Sequence, residues 1–510
     1  MKNRSCITPE PASENLPVSR TARTHRSGWF RAAVVLLVSV AAVSLAACGP
    51  YYYKFPQYNF AGRPIPPSKL AQRVMVALTS NGSSGALQIL DAKRDIRSNV
   101  ENTIPAFAIS GYSGGFPSRI DSFPEQLTGL VYSNLPPYPV TIVNYGTERA
   151  TTALGQFPAP VSSFSVAPSF SRLVAAVPST GQIAVQDSSI PGSYALNLPN
   201  VQTVAVDRGN TLALATVRNS DALYRLIRLN TNQPPPPGNV DCQPTVLPVF
   251  CIVPVPGTFD RPTSVVFSAD GANAYILNCG QECGGGGNGG AGVSIIPLGA
   301  LDYNAIPTSL PYPPVVSGHV SVPHGVTAGL TDGTHLYVAG QQLQPDGLFA
   351  GFLSTIDLAN LTVGAPVSIS DGYHSKMLFA DDNTLWIGSQ FCATGERAKL
   401  NENYNCLSRY DLGSGVASIV PAIIPATSTS PATVPYPNAD QNLLYLGSLT
   451  GLTPVQTFHK VYTAYGGQVH AFKTTDGSEI NNQFIAVQGT ALDVTYMDAS
   501  TNAAEGNSNF

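Results

Sequence analysis

Charge is the scarcest resource in this 510-residue chain: Asp, Glu, Lys and Arg make up 11 % of it, 27 basic against 31 acidic residues. Long helices with one wet face need far more Glu, Lys and Arg than that, so a mainly helical architecture is excluded. No basic stripe breaks the scarcity, and a mildly acidic surface repels phosphate backbones, which argues against nucleic acid as a partner. Tryptophan occurs twice, at Trp29 and Trp386, histidine seven times and methionine four. There is no H-E-x-x-H helix and no P-loop, no G-x-S-x-G elbow is assigned, and the acidic residues are spread among turns instead of paired. Glycine (46) and proline (43) are plentiful. That composition suits many short strands joined by turns.

The leader comes first. Residues 32–47, AAVVLLVSVAAVSLAA, form an uncharged apolar run behind Arg20, Arg23, Arg26 and Arg31. A basic region before an apolar one is the pattern of a secretory signal, and the run is shorter than the roughly 20 residues a membrane-spanning helix needs. It ends in Leu45-Ala46-Ala47-Cys48, followed by Gly49. That string resembles the lipobox of bacterial lipoproteins. The resemblance implies a diacylglycerol thioether (palmitate-type chains) on Cys48, cleavage before it and acylation of the new amine. One acyl chain holds a protein only marginally, whereas two or three hold it firmly. Gly49 is not the aspartate that resembles an inner-membrane retention signal, so the outer membrane is expected, facing either the periplasm or the surface. The rival readings are an ordinary signal peptide with a chance cysteine and an uncleaved anchor. Without residues 1–47 the chain holds 21 basic and 29 acidic residues, a net charge of −8.

Beyond Cys6 in the leader and Cys48, six cysteines remain: Cys242 and Cys251, Cys279 and Cys283, Cys392 and Cys406. An exported protein meets an oxidising compartment, where disulfides are the default, and proximity favours these three pairs among fifteen connectivities. Metal binding through Cys279-Gly-Gln-Glu-Cys283 is the rival reading, without a second close pair of suitable spacing to support it.

A repeat then organises the chain. Residues 261–278, RPTSVVFSADGANAYILN, read as a strand, an Asp270-Gly271 turn and a second strand; GVSIIPL follows after a Gly-rich insert. The same order recurs at 160–187, 199–229, 322–358 and 373–412, and more weakly at 127–145 and 452–477. A spacing of about 40–60 residues falls in the range of propeller blades, whose lone sheets cannot bury both faces and so stack around an axis. Residues 73–91 look like the second and third strands of a copy, and 489–498 like a first strand with nothing after it. Joined, they complete one blade and leave no open edge. The count is eight, or seven if residues 117–145 are not a full unit. Ala269-Asp270-Gly271 followed by Ala274-Tyr275-Ile276-Leu277-Asn278 resembles the YVTN-type β-propeller repeat of bacterial and archaeal surface proteins. The expected organisation is an all-β chain: signal peptide 1–47, lipidated tether 48–70, β-propeller 71–498 and flexible tail 499–510. Two Pro-rich inserts, 233–257 and 421–437, read as long loops at a propeller face.

Candidate chemistry is sparse. Aligned copies place His324 and His374 at the start of equivalent inner strands in adjacent blades, where both rings are candidates for one ligand or divalent-metal pocket at the channel mouth. The bland alternative is two solvated residues at a funnel rim. His319, His335, His459 and His470 fall in loops, turns or an outer strand. The run Gly284–Gly292 formally contains G-x-G-x-x-G, but a strand follows it and no helix, so it reads as a hairpin loop. Propellers that resemble lactonases gather acidic residues and Asn around a central calcium; here Asp207, Asp270, Asp332 and Asp381 look like hairpin formers. Quinone-dependent propellers are rich in Trp, unlike this chain. The expectation is a non-catalytic, lipid-anchored envelope module that binds a small ligand or an envelope protein, with no organic cofactor. The alternative is a metal-dependent hydrolase of lactonase type with its site in the channel.

Overall fold

The computed structural model describes residues 60, 62–95, 107–392, 406–420, 448–480, 485 and 487–500, apart from positions 168, 191, 288, 346, 348 and 391. Asn59–Phe510 form one compact unit; the other, Met1–Tyr58, lies outside the described residues, and with it the leader, Cys48 and most of the tether. The insert 421–437 and residues 501–510 of the tail lie outside them too.

Among the described residues the strands pair into eight antiparallel sheets. In chain order they occupy 117–156 (blade 1), 163–197 (blade 2), 201–255 (blade 3), 262–321 (blade 4), 325–369 (blade 5), 373–419 (blade 6) and 449–473 (blade 7). Blade 8 joins both ends of the chain. Its inner strand 490–496 pairs with 73–79, Val494 opposite Val76, and 73–79 pairs with 85–91. An outer edge at 107–109 completes it, the Ile109 amide donating to the Leu87 carbonyl at 3.0 Å. The fold is an eight-bladed β-propeller. Seven blades are ruled out because residues 117–156 form a full four-stranded sheet.

Each blade grows from local chemistry. The turn after the inner strand needs left-handed backbone, supplied by Gly271 (φ 71°), Asn210 (φ 55°) and Asn383 (φ 56°), residue types that tolerate it. Asp207 Oδ1 accepts from the Thr211 and Leu212 amides at 2.7 Å each, and Asp332 Oδ1 from those of Thr334 and His335. Such Asx bonds fix the hairpin. The second strands 172–177, 212–217 and 460–465 are buried at every position, because a blade in a ring has neighbours on both faces. Accordingly there is no single core. Apolar slabs lie between consecutive blades, such as Leu212, Leu214 and Leu223 of blade 3 against Val265, Ala274 and Ile276 of blade 4. Trp386 of blade 6 packs similarly with Val461, Tyr465 and Phe472 of blade 7.

One irregularity recurs. In blades 1, 3, 4, 5, 6 and 7 the register slips near the start of the inner strand, leaving Ser118, Gln202, Thr263, Thr327, Ser375 and Thr450 unpaired; Leu492 does the same in blade 8. A bulge bends its strand and re-aims neighbouring side chains. Hydroxyls here also tie blade to blade. Thr203 Oγ1 donates to the Thr263 carbonyl (3.2 Å), Thr263 Oγ1 to Val326 (2.9 Å) and Thr327 Oγ1 to His374 (3.4 Å).

All three disulfides form as paired in the sequence: Cys242–Cys251, Cys279–Cys283 and Cys392–Cys406. The insert 233–257 differs from expectation. It is not a plain loop, since 250–255 and 241–243 add two strands to the rim of blade 3, with Cys242 opposite Cys251. Its β-branched residues, Val253 and Val255 among them, find an unpaired edge at 223–228 to pair with.

Candidate functional site

At the bulged end of the inner strands lies a cavity of about 230 Å³. Blade 1 contributes Ser118, Arg119 and Tyr132 to its wall, blade 2 Ser163 and Phe164, blade 6 Ser375, Lys376 and Gln390, and blade 7 Thr450. Residues from non-adjacent blades can meet only in the central channel, so the ring must close before this wall exists.

Three charged side chains meet here, each immediately following a bulge: Arg119, Lys376 and Asp493. Lys376 Nζ stands 4.0 Å from Asp493 Oδ1. Asp493 is buried; its Oδ2 accepts from the Ile120 amide at 2.7 Å and its Oδ1 from its neighbour Val494 at 2.9 Å. Burial raises the Asp493 carboxyl above the usual range, partly offset by Lys376, those amides and Arg119. Arg119 Nε donates to Asp121 Oδ1 at 3.0 Å, and its guanidinium lies 4.3 Å over the Phe164 ring. Its Nη1 is buried without a hydrogen-bond acceptor. The arrangement offers two cations and several hydroxyls, with no carboxylate in the cavity wall itself.

Neither histidine put forward from the sequence lines this cavity. His374 is fully buried, its Nε2 donating to the Ser370 carbonyl at 2.8 Å, and its ring packs where a Cβ on Gly351 would sit. His324 stacks on Phe352, ring centroids 3.9 Å apart. Gly351 and Phe352 are successive residues of one strand and point to opposite faces. The two rings therefore do not share a pocket, because a sheet stands between them. Burial lowers the pKa of both, that of His374 to about 4.

Sequence reading passed over another cluster. Among the described residues one group of three ligand-type side chains comes together: Asp381 and Asp382 in the turn of blade 6, and His459 beside blade 7. His459 Nδ1 lies 2.7 Å from Asp381 Oδ2 and 2.9 Å from Asp382 Oδ2. Thr474 Oγ1 donates to Asp382 Oδ2 at 2.5 Å, and the bond to Asp382 together with both carboxylates raises the His459 pKa. This is a tie between two blades, five residues beyond Lys376 and hence about 17 Å along the strand from the cavity.

Two glycine motifs prove structural. In the Gly-rich loop, the Gly287 and Gly290 amides donate to Asp260 Oδ2 at 3.0 and 3.2 Å, so the chain's own carboxylate occupies the cradle and strand 292–297 follows. Gly111-Tyr112-Ser113-Gly114-Gly115 matches G-x-S-x-G as a string without forming an elbow. It leads into strand 117–123 and no helix, and Gly114 lacks a side chain because a Cβ there would strike Ser133 Oγ.

No family model matches the chain. No curated protein matches it either. Among solved structures it is similar to Kuenenia stuttgartiensis hydrazine synthase, at 14 % identity over 74 % of this chain and 99 % of that one (TM-score 0.43). It is also similar to the dihydro-heme d1 dehydrogenase NirN in complex with DHE, at 13 % identity over 84 % and 80 % (TM-score 0.48). A third is the β-propeller domain of Myceliophteria thermophila Cps50 (Swd1), at 10 % identity over 70 % and 94 % (TM-score 0.42). At these identities and scores they carry no argument about function.

Proposed function

We propose that this chain is an exported, lipid-anchored protein of the cell envelope, attached through Cys48 to the outer membrane, whose propeller binds a ligand without transforming it. The binding reading rests on one observation: an open concavity at the channel, walled by four blades and lined largely with polar side chains. Concave sites with a few convergent polar groups are where small molecules bind. The anchor rests on the sequence alone, on the apolar run ending at Cys48. A metal-dependent hydrolase centred on His324 and His374 gains no support, since the two rings lie on opposite faces of one strand.

Each half has its own test. Cells fed a clickable fatty acid should label the parent protein and leave Cys48→Ser unlabelled; label in the mutant removes the anchor. Extracts of envelope small molecules should raise the melting temperature of the parent but not of Gln390→Trp, which fills the cavity. Equal stabilisation of both would move binding to the loop face, where a protein partner becomes the better reading.

A further inference from the structure

We propose that the channel cavity selects a small hydroxylated anion, a sugar acid or sugar phosphate in chemical class; this rests on the binding reading above and goes on to name the ligand. The argument starts from charge. A chain with more acidic than basic residues places two cations and no carboxylate in the cavity wall. Arg119 and Lys376 come from blades 1 and 6, yet they hold the same register, one residue after the bulge. In the same register blade 3 has Thr203, blade 4 Ser264, blade 5 Ala328, blade 7 Gly451 and blade 8 the buried Asp493 that faces Lys376. The cations are thus confined to the side of the ring where the cavity opens.

Each cation has one carboxylate partner, Asp121 for Arg119 and Asp493 for Lys376, and the guanidinium keeps a donor to spare. Asp493 is the only carboxylate paired with Lys376 among the described residues, at 4.0 Å, and it also accepts two backbone amides. Asp121 takes Arg119 Nε, which leaves the Nη1 donor of a cavity-lining guanidinium without an acceptor. Buried donors are seldom left unpaired, and an oxyanion meets a guanidinium with shorter, stronger bonds than a neutral group does. The rest of the wall calls for hydroxyls. Ser118, Ser375, Thr450 and the Gln390 amide offer hydrogen bonds to the hydroxyls of such a ligand, while Tyr132 and Phe164 are buried beneath the wall and back it. About 230 Å³ is the space of about eight waters at ~30 Å³ each, the scale of a monosaccharide.

Calorimetric titration of the full-length protein with glucuronate, glucose 6-phosphate and glucose tests this. Binding of at least one anion is expected, ten-fold or more tighter than glucose, and weakening as salt rises. Glucuronate and the phosphate separate carboxylate from phosphate recognition. Lys376→Gln and Arg119→Gln should each weaken the anion at least ten-fold, whereas Arg119→Lys keeps part of it; melting curves show which variants remain folded, and Lys376→Gln carries the test if Arg119→Gln does not. Glucose binding as well as the anions, or anion affinity unchanged in folded Lys376→Gln, overturns the anion assignment and leaves a channel ligand site in place. No heat from any probe overturns it as well, and the Gln390→Trp comparison then decides the binding reading separately.

Discussion

At the scale of single residues, burial decides what each titratable group does. His374 shows this most plainly, a histidine with no exposed surface whose neighbours are a carbonyl and a glycine. Burial holds its pKa near 4, against about 6.5 for a free imidazole. The neutral ring therefore contributes its stability in full above pH 6.5, and that contribution is lost as pH falls towards 4. The shift corresponds to about 3 kcal/mol at most. In urea titrations between pH 7 and 4, the parent should lose stability more steeply than His374→Asn; parallel curves would mean that the ring titrates normally. The sequence put His374 at the right strand position but could not tell channel from interior. The following bulge turns Ser375 and Lys376 to the cavity. Arg119 and Asp493 were overlooked for the same reason: the register they share with Lys376 appears only when inner strands are aligned through a slip that composition does not reveal.

At the scale of elements, the inner strand carries both hydrophobic packing and the links between blades. Thr263 sits at a bulge and donates to carbonyls of its own blade and the next, Leu277 at 3.2 Å and Val326 at 2.9 Å. Thr263→Val keeps the shape and removes the hydroxyl, which should cost about 1–2 kcal/mol through the unpaired buried carbonyls. A urea midpoint unchanged within error would show that these bonds contribute nothing. The hairpins themselves were legible, since alternating apolar runs and Asp-Gly or Asn turns act locally. The fifth strand of blade 3 was not. Its prolines read as loop, and only a free edge beside 250–255 turned Asp241–Gln243 into strand.

At the scale of the whole molecule, closure is where the ring is most exposed to failure. Asp498, near the end of the described chain, accepts from the Arg73 amide (2.7 Å), Arg73 Nε (3.0 Å), Arg73 Nη2 (2.7 Å) and Arg63 Nη1 (2.9 Å). Glu148 of blade 1 holds Arg73 Nη1 at 3.0 Å, so one guanidinium bridges blade 8 and blade 1. Removing one partner of a buried ion pair leaves a stranded charge and costs about 3–5 kcal/mol. Asp498→Ala should therefore lower the urea midpoint far more than a surface change, and open ring ends should increase aggregation during refolding, followed by light scattering. An unfolding free energy within about 0.5 kcal/mol of the parent's would place the closing strength in the strand pairing alone.

The repeat, the number of hairpins and the union of the two chain ends follow from order along the chain, because strand pattern and turn chemistry act between neighbours. The three disulfides follow from proximity in the same way. Which side chains face the channel is different. It depends on bulges, on blades far apart in sequence converging on one axis, and on sheets that separate residues adjacent in an alignment. Those are long-range contacts, and they exist only after the ring has closed.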